Sequence, residues 1–356
     1  MNDSVLATLQ LQKGTSIKEA MKQLGKSSWK TLFLVDRNKR LLGSLTDGDI
    51  RRWILRDGKL DENVEKICHK YPEYVEEGKY KIEIVKEVMV NKKMESIPVV
   101  DDSKVIRDVL FWENIFGEEY KKTKKELNVP VVIMAGGQGK RMSLFAKIWP
   151  KPLIPVGEKP VIELVMDSFY EKGCGKFVLL LNHRAEMIQS YFDNTRHNYH
   201  IQYVQESTPL GTAGGLKLIY KDLPDTFFLS NCDTVIKGDY EEMFNFHKQH
   251  KNNITIIASY KHFSFPYGVI KKRYGKLKKI IEKPEYDHLV VTGLYVMQKK
   301  AIELIPKNNK EFHMPDLIEA MISSEKKVGI YPVNEKAWTD IGEMEKYKEA
   351  IRNMEL

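Results

Sequence analysis

The sequence has no long apolar run, no leader-like start and only three cysteines, and each absence argues against a class of protein. No stretch approaches the roughly 18 uninterrupted apolar residues that a membrane span requires. The opening residues, MNDSVLATLQLQKG, lack the basic-then-apolar order of a secretory signal. Cys68, Cys174 and Cys232 lie far apart and form no CxxC pair, so neither a disulfide framework nor a zinc site is indicated. These absences predict a cytoplasmic protein without a membrane partner.

The charge balance has no acidic excess: the net charge is +8 and the pI is near 9.0. Nucleic-acid binding would require basic residues interleaved with aromatics on one surface. The closest match is a basic stretch on a predicted strand pair that turns at Gly275. It contains Lys271, Lys272, Arg273, Lys276, Lys278 and Lys279. We interpret it as a solvated β-hairpin and expect no nucleic-acid partner, whereas the overall charge favours small polyanions such as nucleotides.

The chain of 356 residues is long for one domain, and its organisation changes near the charged segment GEEYKKTKKELN, residues 117–128. An internal repeat precedes this segment. TLFLVD ends at Asp36 and SIPVVD ends at Asp101, 65 residues later, and each is followed by a turn, a second apolar run and a polar helix start. We predict a paired repeat over residues 1–122, a linker over 123–129 and a second domain over 130–356.

Residues 130–356 alternate strand-like and helix-like segments. VVIMA, KFVLLLN, IQYVQ, TFFLSN and NITIIASY favour strands, and the segments between them carry apolar residues at helical spacing. This alternation predicts an α/β domain with a mixed, mostly parallel, Rossmann-like sheet, preceded by α+β repeats. Ligands of such sheets bind at the carboxyl ends of the strands, where most of the motifs below fall.

Two motifs indicate phosphate binding. AGGQGKRM, residues 135–142, places glycines and cations directly after a strand, where backbone N–H groups can face an anion. It is neither a Walker loop, since Arg141 follows Lys140, nor a dinucleotide fingerprint, since Met142 stands where the third glycine belongs. PKPLIPVGEKP, residues 150–160, brings Lys151 on a proline-stiffened segment. Together they form GGxGxR(x)8PKP, which is far more specific than either part.

The first repeat, LFLVDRNKRLLGSLTDGDIRR, resembles a CBS domain, and residues 1–122 then resemble a CBS pair. Such pairs often bind adenine nucleotides through a hydroxyl and a carboxylate, and Thr46 and Asp49 match those positions. The second repeat has Phe111 and Asn114 there instead. The resemblance implies at most one adenine-nucleotide site, and a purely structural or dimerising role stays open.

Residues 130–342 resemble the sugar-1-phosphate nucleotidyltransferase family. After the two phosphate motifs the match continues in order with PLGTAGG, SNCDT, FPYGVI, IIEKP, VTGLYVM and WTDIG. The chain departs from the family at Leu144 and Ala146, where Pro and Thr are frequent, and at Thr292, where Asn is frequent. The last departure bears on the sugar contact.

The resemblance implies that a sugar-1-phosphate oxygen attacks the α-phosphorus of an NTP and releases pyrophosphate, with Mg²⁺ as cofactor. The family's catalytic positions fall on Arg141, Lys151 and Asp233, and its metal ligands fall on Asp233 and Asp340. The nucleotide-binding positions are Ala135, Gly136, Gly137, Gly139, Arg141, Lys151, Gln205, Gly211 and Thr212. The sugar-phosphate positions are Gly268, Glu282, Lys283 and Gly293. Asn182 is a further candidate contact or a plain strand-end residue.

The PLGTAGG motif resembles the guanylyltransferase branch, so GTP is the expected nucleotide. A CBS pair ahead of the catalytic domain resembles glucosamine-1-phosphate guanylyltransferases of legionaminic acid biosynthesis, which implies GDP-glucosamine as product. Mannose-1-phosphate, heptose-1-phosphate, CTP and dTTP remain open. A CBS-based regulatory protein with an inactive transferase domain is the alternative of another class. We also expect a homo-oligomer, because CBS pairs commonly associate in twos.

Overall fold

The computed structural model describes residues 3–26, 29–92, 94–116, 127–137, 148–307 and 310–341. The chain divides into two compact units, residues 1–124 and 125–356. In the part of the chain that is described, no helix is long and apolar enough to cross a membrane.

The first unit contains two three-stranded sheets with matching strand order. Its helices are α1 (Asp3–Thr8), α2 (Ile17–Lys26), α3 (Asp47–Ile54), α4 (Ile82–Lys92) and α5 (Trp112–Phe116). Its strands are β1 (Gln10–Gln12), β2 (Thr31–Val35), β3 (Leu41–Thr46), β4 (Val75–Glu76), β5 (Ser96–Val100) and β6 (Ile106–Phe111). In each sheet the first two strands are parallel and the last two form an antiparallel hairpin.

The registers of the two hairpins follow the 65-residue offset seen in the sequence. Thr31 pairs with Thr46 in the first sheet and Ser96 pairs with Phe111 in the second. Both hairpins carry a register shift at the same relative place, between Leu34 and Val35 and between Val99 and Val100. Phe33, Val35, Val100 and Phe111 contribute to one shared apolar cluster, so neither sheet buries its apolar face alone.

The second unit is built on a seven-stranded sheet with the order β11-β10-β7-β12-β17-β14-β18. These strands are β7 (Val131–Met134), β10 (Lys176–Leu181), β11 (His200–Gln205), β12 (Thr226–Asn231), β14 (Ile254–Ser264), β17 (Glu285–Gln298) and β18 (Val328–Val333). Only β17 runs against its neighbours, so the prediction of a mixed, mostly parallel sheet is confirmed. Shorter pairs join β8 (Pro155–Val156) to β9 (Lys159–Pro160), β13 (Thr234–Ile236) to β19 (Trp338–Asp340), and β15 (Val269–Arg273) to β16 (Lys276–Ile281).

Helices cover both faces of this sheet. They are α6 (Val161–Tyr170), α7 (Ala185–Asp193), α8 (Gly211–Gly214), α9 (Tyr240–Gln249) and α10 (Met314–Ser323). One apolar cluster places Phe169, Phe192 and Phe244 against one face, and a second places Leu216 and Leu317 against the other. Because side chains alternate along each strand, neighbours such as Val131 and Val132 enter opposite clusters. The strand ends are thereby fixed from both sides, and the predicted site residues follow those ends.

Candidate active site

The glycine-rich loop leaves the central strand β7 at Ala135, whose N–H donates to the carbonyl of Leu180 (2.9 Å). Gly136 lies against the neighbouring strand end, where an added Cβ would be 3.1 Å from Asn182 Cβ. A Cβ added at Gly137 would meet no atom of the described residues within 4 Å, which suits the approach of a ligand to the backbone. Gly139 and Arg141 lie outside the described residues.

A buried ion pair follows on the carboxyl-end side of the sheet. Lys151 begins a short 3-10 helix, Lys151–Leu153, and Asp233 lies in the two-residue link between β12 and β13. Lys151 Nζ is 2.5 Å from Asp233 Oδ2, and the two side chains are 17% and 4% exposed. The structure thus joins two residues that are 82 positions apart in the sequence and that were assigned separately to phosphate and metal.

The electrostatics of this pair keep Lys151 charged. Burial opposes the charge, yet the pKa of Lys151 is raised, because the carboxylates of Asp233 and Asp340 stabilise the ammonium form. The neighbouring Cys232 thiol adds no negative charge near pH 7, since burial raises its own pKa to about 12. Lys151 is therefore a charged group held at the carboxyl ends of the strands, as phosphate binding requires.

Asp340 is held beside Asp233 by backbone pairing. It pairs with Thr234 in the β13–β19 ladder, and the Ile341 N–H donates to the carbonyl of Asp233 (3.1 Å). Within the described ranges, no group of three or more His, Cys, Asp or Glu residues could hold a metal. Two carboxylates are sufficient for Mg²⁺, which retains waters and binds substrate phosphates rather than filling an all-protein cage.

Asp233 also shows an unused acceptor. Its Oδ2 contacts Lys151, whereas Oδ1 is buried and has no hydrogen-bond partner among the residues that the structure describes. A buried carboxylate oxygen without a partner is costly, so a cation beside it would relieve that cost. The residues present therefore fit a divalent cation at Asp233 and Asp340.

The predicted base-reading loop starts at Gln205, the last residue of β11, and continues to Gly211 and Thr212. Gly211 has φ +79, and a Cβ there would lie 2.6 Å from the carbonyl of Phe312, so only glycine fits without strain. Thr212 Oγ1 accepts a hydrogen bond from the N–H of Met314 (2.8 Å). This bond holds the loop to the start of α10 and leaves the hydroxyl proton of Thr212 to donate elsewhere.

Sequence analysis missed Glu206, which organises this loop. Its Oε2 accepts from the N–H of Leu210 (3.3 Å), its carbonyl accepts from Asn182 Nδ2 (3.1 Å), and burial raises its pKa. A Cβ on Gly215 would lie 2.2 Å from Glu206 Oε1, so the carboxylate fills the space that this glycine leaves. The available signal was a carboxylate followed within five residues by PLG, and it did not reveal burial. Asn182 accordingly braces this loop as a strand-end residue.

The predicted sugar-phosphate residues occupy two places. A Cβ on Gly268 would lie 3.0 Å from Glu282 Oε2, and Glu282 and Lys283 are both exposed at the base of the β15–β16 hairpin. Gly293 has φ +89 and follows Thr292 in β17, where an added Cβ would lie 2.3 Å from Asn231 Nδ2. Glu282 and Lys283, both among the described residues, form no ion pair with each other, so neither charge is neutralised by the other.

Thr292 does not face this place. Its hydroxyl is buried, donates to the carbonyl of Ile257 (2.8 Å) and accepts from the N–H of Leu294 (3.2 Å). Asn231, which was not predicted, is a partly exposed residue whose side-chain amide has no hydrogen-bond partner among the described residues. The departure at Thr292 therefore concerns packing of the sheet, and Asn231 is the polar group that lies over Gly293.

In the first unit, Thr46 and Asp49 form the N-terminal capping box of α3. Thr46 donates to Asp49 Oδ2 from its backbone N–H (2.8 Å) and from its hydroxyl (2.7 Å). The position related to Thr46 by the repeat is Phe111, which stacks on Trp29 with ring centroids 3.5 Å apart. The second repeat thus has an aromatic ring, stacked on Trp29 of the first repeat, where the first repeat has the Thr46 hydroxyl.

Comparison with known proteins matches a different family model to each of the two units of the chain. A nucleotidyl transferase family model matches residues 130–355, and a CBS domain model matches residues 8–56. The chain is 27% identical to D-glycero-alpha-D-manno-heptose 1-phosphate guanylyltransferase of Aneurinibacillus thermoaerophilus, over 63% of this chain and 97% of that protein. It is 30% identical to UTP–glucose-1-phosphate uridylyltransferase of a Synechocystis species, over 63% of this chain and 62% of that protein.

A third relative is mannose-1-phosphate guanyltransferase of Saccharomyces cerevisiae, 29% identical over 60% of this chain and 61% of that protein. The chain thus spans about three fifths of the length of two of these three relatives. Among solved structures, HddC from Yersinia pseudotuberculosis has a TM-score of 0.51 at 24% identity, covering 64% of this chain and 99% of that one. This structural similarity concerns the fold alone.

Proposed function

Because the chain belongs to the nucleotidyl transferase family, we propose that it is a Mg²⁺-dependent sugar-1-phosphate nucleotidyltransferase. The observation that supports this most directly is the buried Lys151–Asp233 pair with its unused carboxylate oxygen, beside Asp340 at the end of a mostly parallel sheet. A cation for phosphate and carboxylates for a hard metal ion stand together there, as transfer between two polyanions requires.

The chemistry needs positioning more than proton transfer. A phosphate monoester has a second pKa of about 6, so the attacking oxygen of a sugar-1-phosphate is already anionic near pH 7. Lys151 would pair with phosphate oxygens as charge shifts onto the departing pyrophosphate, and Gly136 and Gly137 would let the triphosphate approach the backbone. Mg²⁺ held by Asp233 and Asp340 would neutralise phosphate charge.

We propose GTP as the nucleotide. Two of the three relatives named above are guanylyltransferases by name, and the PLGTAGG loop supports the same branch. Gln205, Gly211 and Thr212 would face the base, with Glu206 holding their loop in place. The uridylyltransferase relative makes UTP the necessary comparison in any assay.

We propose glucosamine-1-phosphate as the sugar substrate. The first unit, called the CBS unit because its residues 8–56 match the CBS domain model, precedes the nucleotidyl transferase unit. This order of domains resembles that of the legionaminic acid enzymes. Gly268, Glu282, Lys283 and Gly293 would contact it. Mannose-1-phosphate and heptose-1-phosphate are the alternatives favoured by the relatives' names.

The test is pyrophosphate release by the full chain with Mg²⁺, with GTP, CTP, UTP, dTTP or ATP against each of the candidate sugar-1-phosphates. We expect one pairing to dominate and EDTA to abolish its turnover. If no pairing turned over even with adenine nucleotides added, the alternative of a regulatory protein with an inactive transferase domain would replace this proposal.

Replacing Asn231 should change sugar selection. We expect Asn231→Ala to reduce kcat/KM for the preferred sugar-1-phosphate about tenfold relative to its competitors, since one hydrogen bond to the sugar would be lost. The KM for the nucleotide should stay within twofold. Gln249→Ala, which removes an exposed amide at the end of α9, is the matched control. Equal losses for every sugar would assign Asn231 to general architecture.

The CBS unit supports a second proposal, an adenine nucleotide bound at Thr46 and Asp49. Calorimetric titration of the full chain with AMP, in the presence of saturating GTP, would separate this site from the catalytic one. We expect Asp49→Asn to weaken AMP binding at least tenfold and Asp47→Asn, on the same turn of α3, to leave it unchanged. Absence of AMP, ADP and ATP binding would leave the unit a structural role.

A further inference from the structure

The hairpin formed by β15 and β16, here called the basic hairpin (residues 269–281), projects as a sheet of its own. Within the described part of the chain its strands pair only with each other, and the chain turns at Tyr274 and Gly275, both with positive φ. Every residue from Ile270 to Ile280 is exposed. An isolated two-stranded ribbon is only marginally stable in water, so its composition requires a physical reason.

One face of the basic hairpin is cationic. Lys271 lies directly opposite Lys279, and Arg273 lies directly opposite Lys276. Like charges in directly opposed positions destabilise a strand pair. The segment contains no carboxylate, and within the described part of the chain none of its six cations forms an ion pair.

The other face carries three aliphatic side chains and one lysine. Ile270 lies opposite Ile280, and Leu277 lies opposite Lys272, with the register shift after Lys271. Ile270 and Leu277 are 63% and 60% exposed, and Tyr274 at the tip is 91% exposed. The ribbon therefore exposes three aliphatic side chains and Lys272 on one face and four opposed cations on the other, and both arrangements are unfavourable without a partner.

We propose that the basic hairpin docks on the surface of an anionic lipid bilayer. An element with one apolar and one cationic face lies in the bilayer interface with its apolar side buried, while its cations reach the surrounding headgroups. A nucleic acid would neutralise the cations but leave Ile270, Leu277 and Ile280 in water. A second copy of this hairpin, packed face to face, would cover the aliphatic side chains but leave Lys271, Arg273, Lys276 and Lys279 on the outer faces without an anionic partner.

Surface docking needs no membrane span, so it is compatible with the lack of a spanning helix among the described residues. It differs from the sequence expectations of a solvated hairpin and of no membrane partner, which rested on the missing apolar run. Each cation near an anionic surface raises membrane partitioning about fivefold, and the attraction is screened by salt. The inference is independent of the transferase reaction.

The test is co-sedimentation of the full chain with vesicles of phosphatidylcholine alone or with about two fifths phosphatidylglycerol. We expect binding to the anionic vesicles only, and release at high salt. Lys271→Gln/Lys279→Gln should lower the partition coefficient about twentyfold, and Ile270→Ser/Ile280→Ser should lower it as strongly without altering charge. Lys326→Gln/Lys327→Gln, which removes the same charge from an exposed turn after α10, should change it less than threefold.

Other results would overturn the proposal in distinguishable ways. Equal loss in the hairpin and control variants would indicate a general effect of net charge. Retention on duplex DNA or RNA that survives Ile270→Ser/Ile280→Ser, without vesicle binding, would assign the surface to nucleic acid. Self-association lost in the same aliphatic variant, again without vesicle binding, would assign it to a second copy of the chain. Unchanged melting temperatures of the variants would show that each retains its fold.

Discussion

Asp233→Asn should lower kcat for pyrophosphate release by at least about a thousandfold. The substitution keeps the shape of a side chain that is 4% exposed but removes the charge that would hold Mg²⁺ against the phosphates. Loss of a metal-based stabilisation of several kcal/mol corresponds to about three orders of magnitude in rate. The measurement is steady-state turnover of the preferred substrate pair over a range of Mg²⁺ concentrations.

Asp222→Asn is the matched control, because Asp222 is an exposed carboxylate on the turn before β12. Its turnover should equal that of the unmodified chain. Nucleotide binding by Asp233→Asn should persist at reduced affinity, since the glycine loop and Lys151 remain. Retention of turnover within tenfold would contradict the assignment of Asp233 to the metal site. If the chain were a regulatory protein with an inactive transferase domain, no turnover would be measured with or without the substitution.

The sequence predicted the elements that depend on local pattern. Alternating apolar runs indicated the strands of the mostly parallel sheet, and the motifs at their ends indicated Lys151 and Asp233. It also placed the hairpin turn at Gly275, where the structure has the turn between β15 and β16. These features depend on residue types at fixed spacing, which a single sequence displays.

The sequence did not reveal features that depend on packing between residues distant in the chain. The contact of Lys151 with Asp233, the burial of Glu206 and the position of Asn231 against Gly293 each depend on elements that are distant in the chain. Thr292 illustrates the limit: its residue type suggested an altered sugar contact, while its hydrogen bonds hold it within the sheet. The role of a buried polar group depends on its hydrogen-bond partners, and those partners are determined by the fold.

The exposed and the buried charges of the second unit also differ in what their patterns reveal. Six cations in residues 269–281 are evident from the sequence, but only the register shows that four of them oppose each other on one face. At the candidate site Lys151 is a single cation, 17% exposed, and burial would strengthen its field. The basic stretch within residues 269–281 thus indicated an exposed surface, whereas Lys151, a single lysine between prolines, indicated phosphate binding.

Lys151→Met combined with Asp233→Asn should separate the catalytic role of the buried pair from its structural role. Lys151→Met alone leaves a carboxylate that is 4% exposed without its partner, and breaking such a pair typically costs about 3 kcal/mol or more. For a unit of this size that corresponds to a drop in melting temperature of about 6–12 °C. The double variant replaces both charges by neutral groups of similar shape, so it should recover more than half of the lost stability.

Turnover should not recover, because both the phosphate-binding cation and a metal-binding carboxylate are then missing. The measurements are melting without metal and nucleotide, so that ligand binding does not mask the difference, together with pyrophosphate release. Additive losses of stability in the double variant would mean that the two side chains are not coupled. Recovery of turnover along with stability would mean that the pair maintains the fold and that phosphate is bound elsewhere. Recovery of stability alone is the result that the proposed function predicts, since the pair would cost desolvation in the protein without substrates and would act when the two polyanions are brought together.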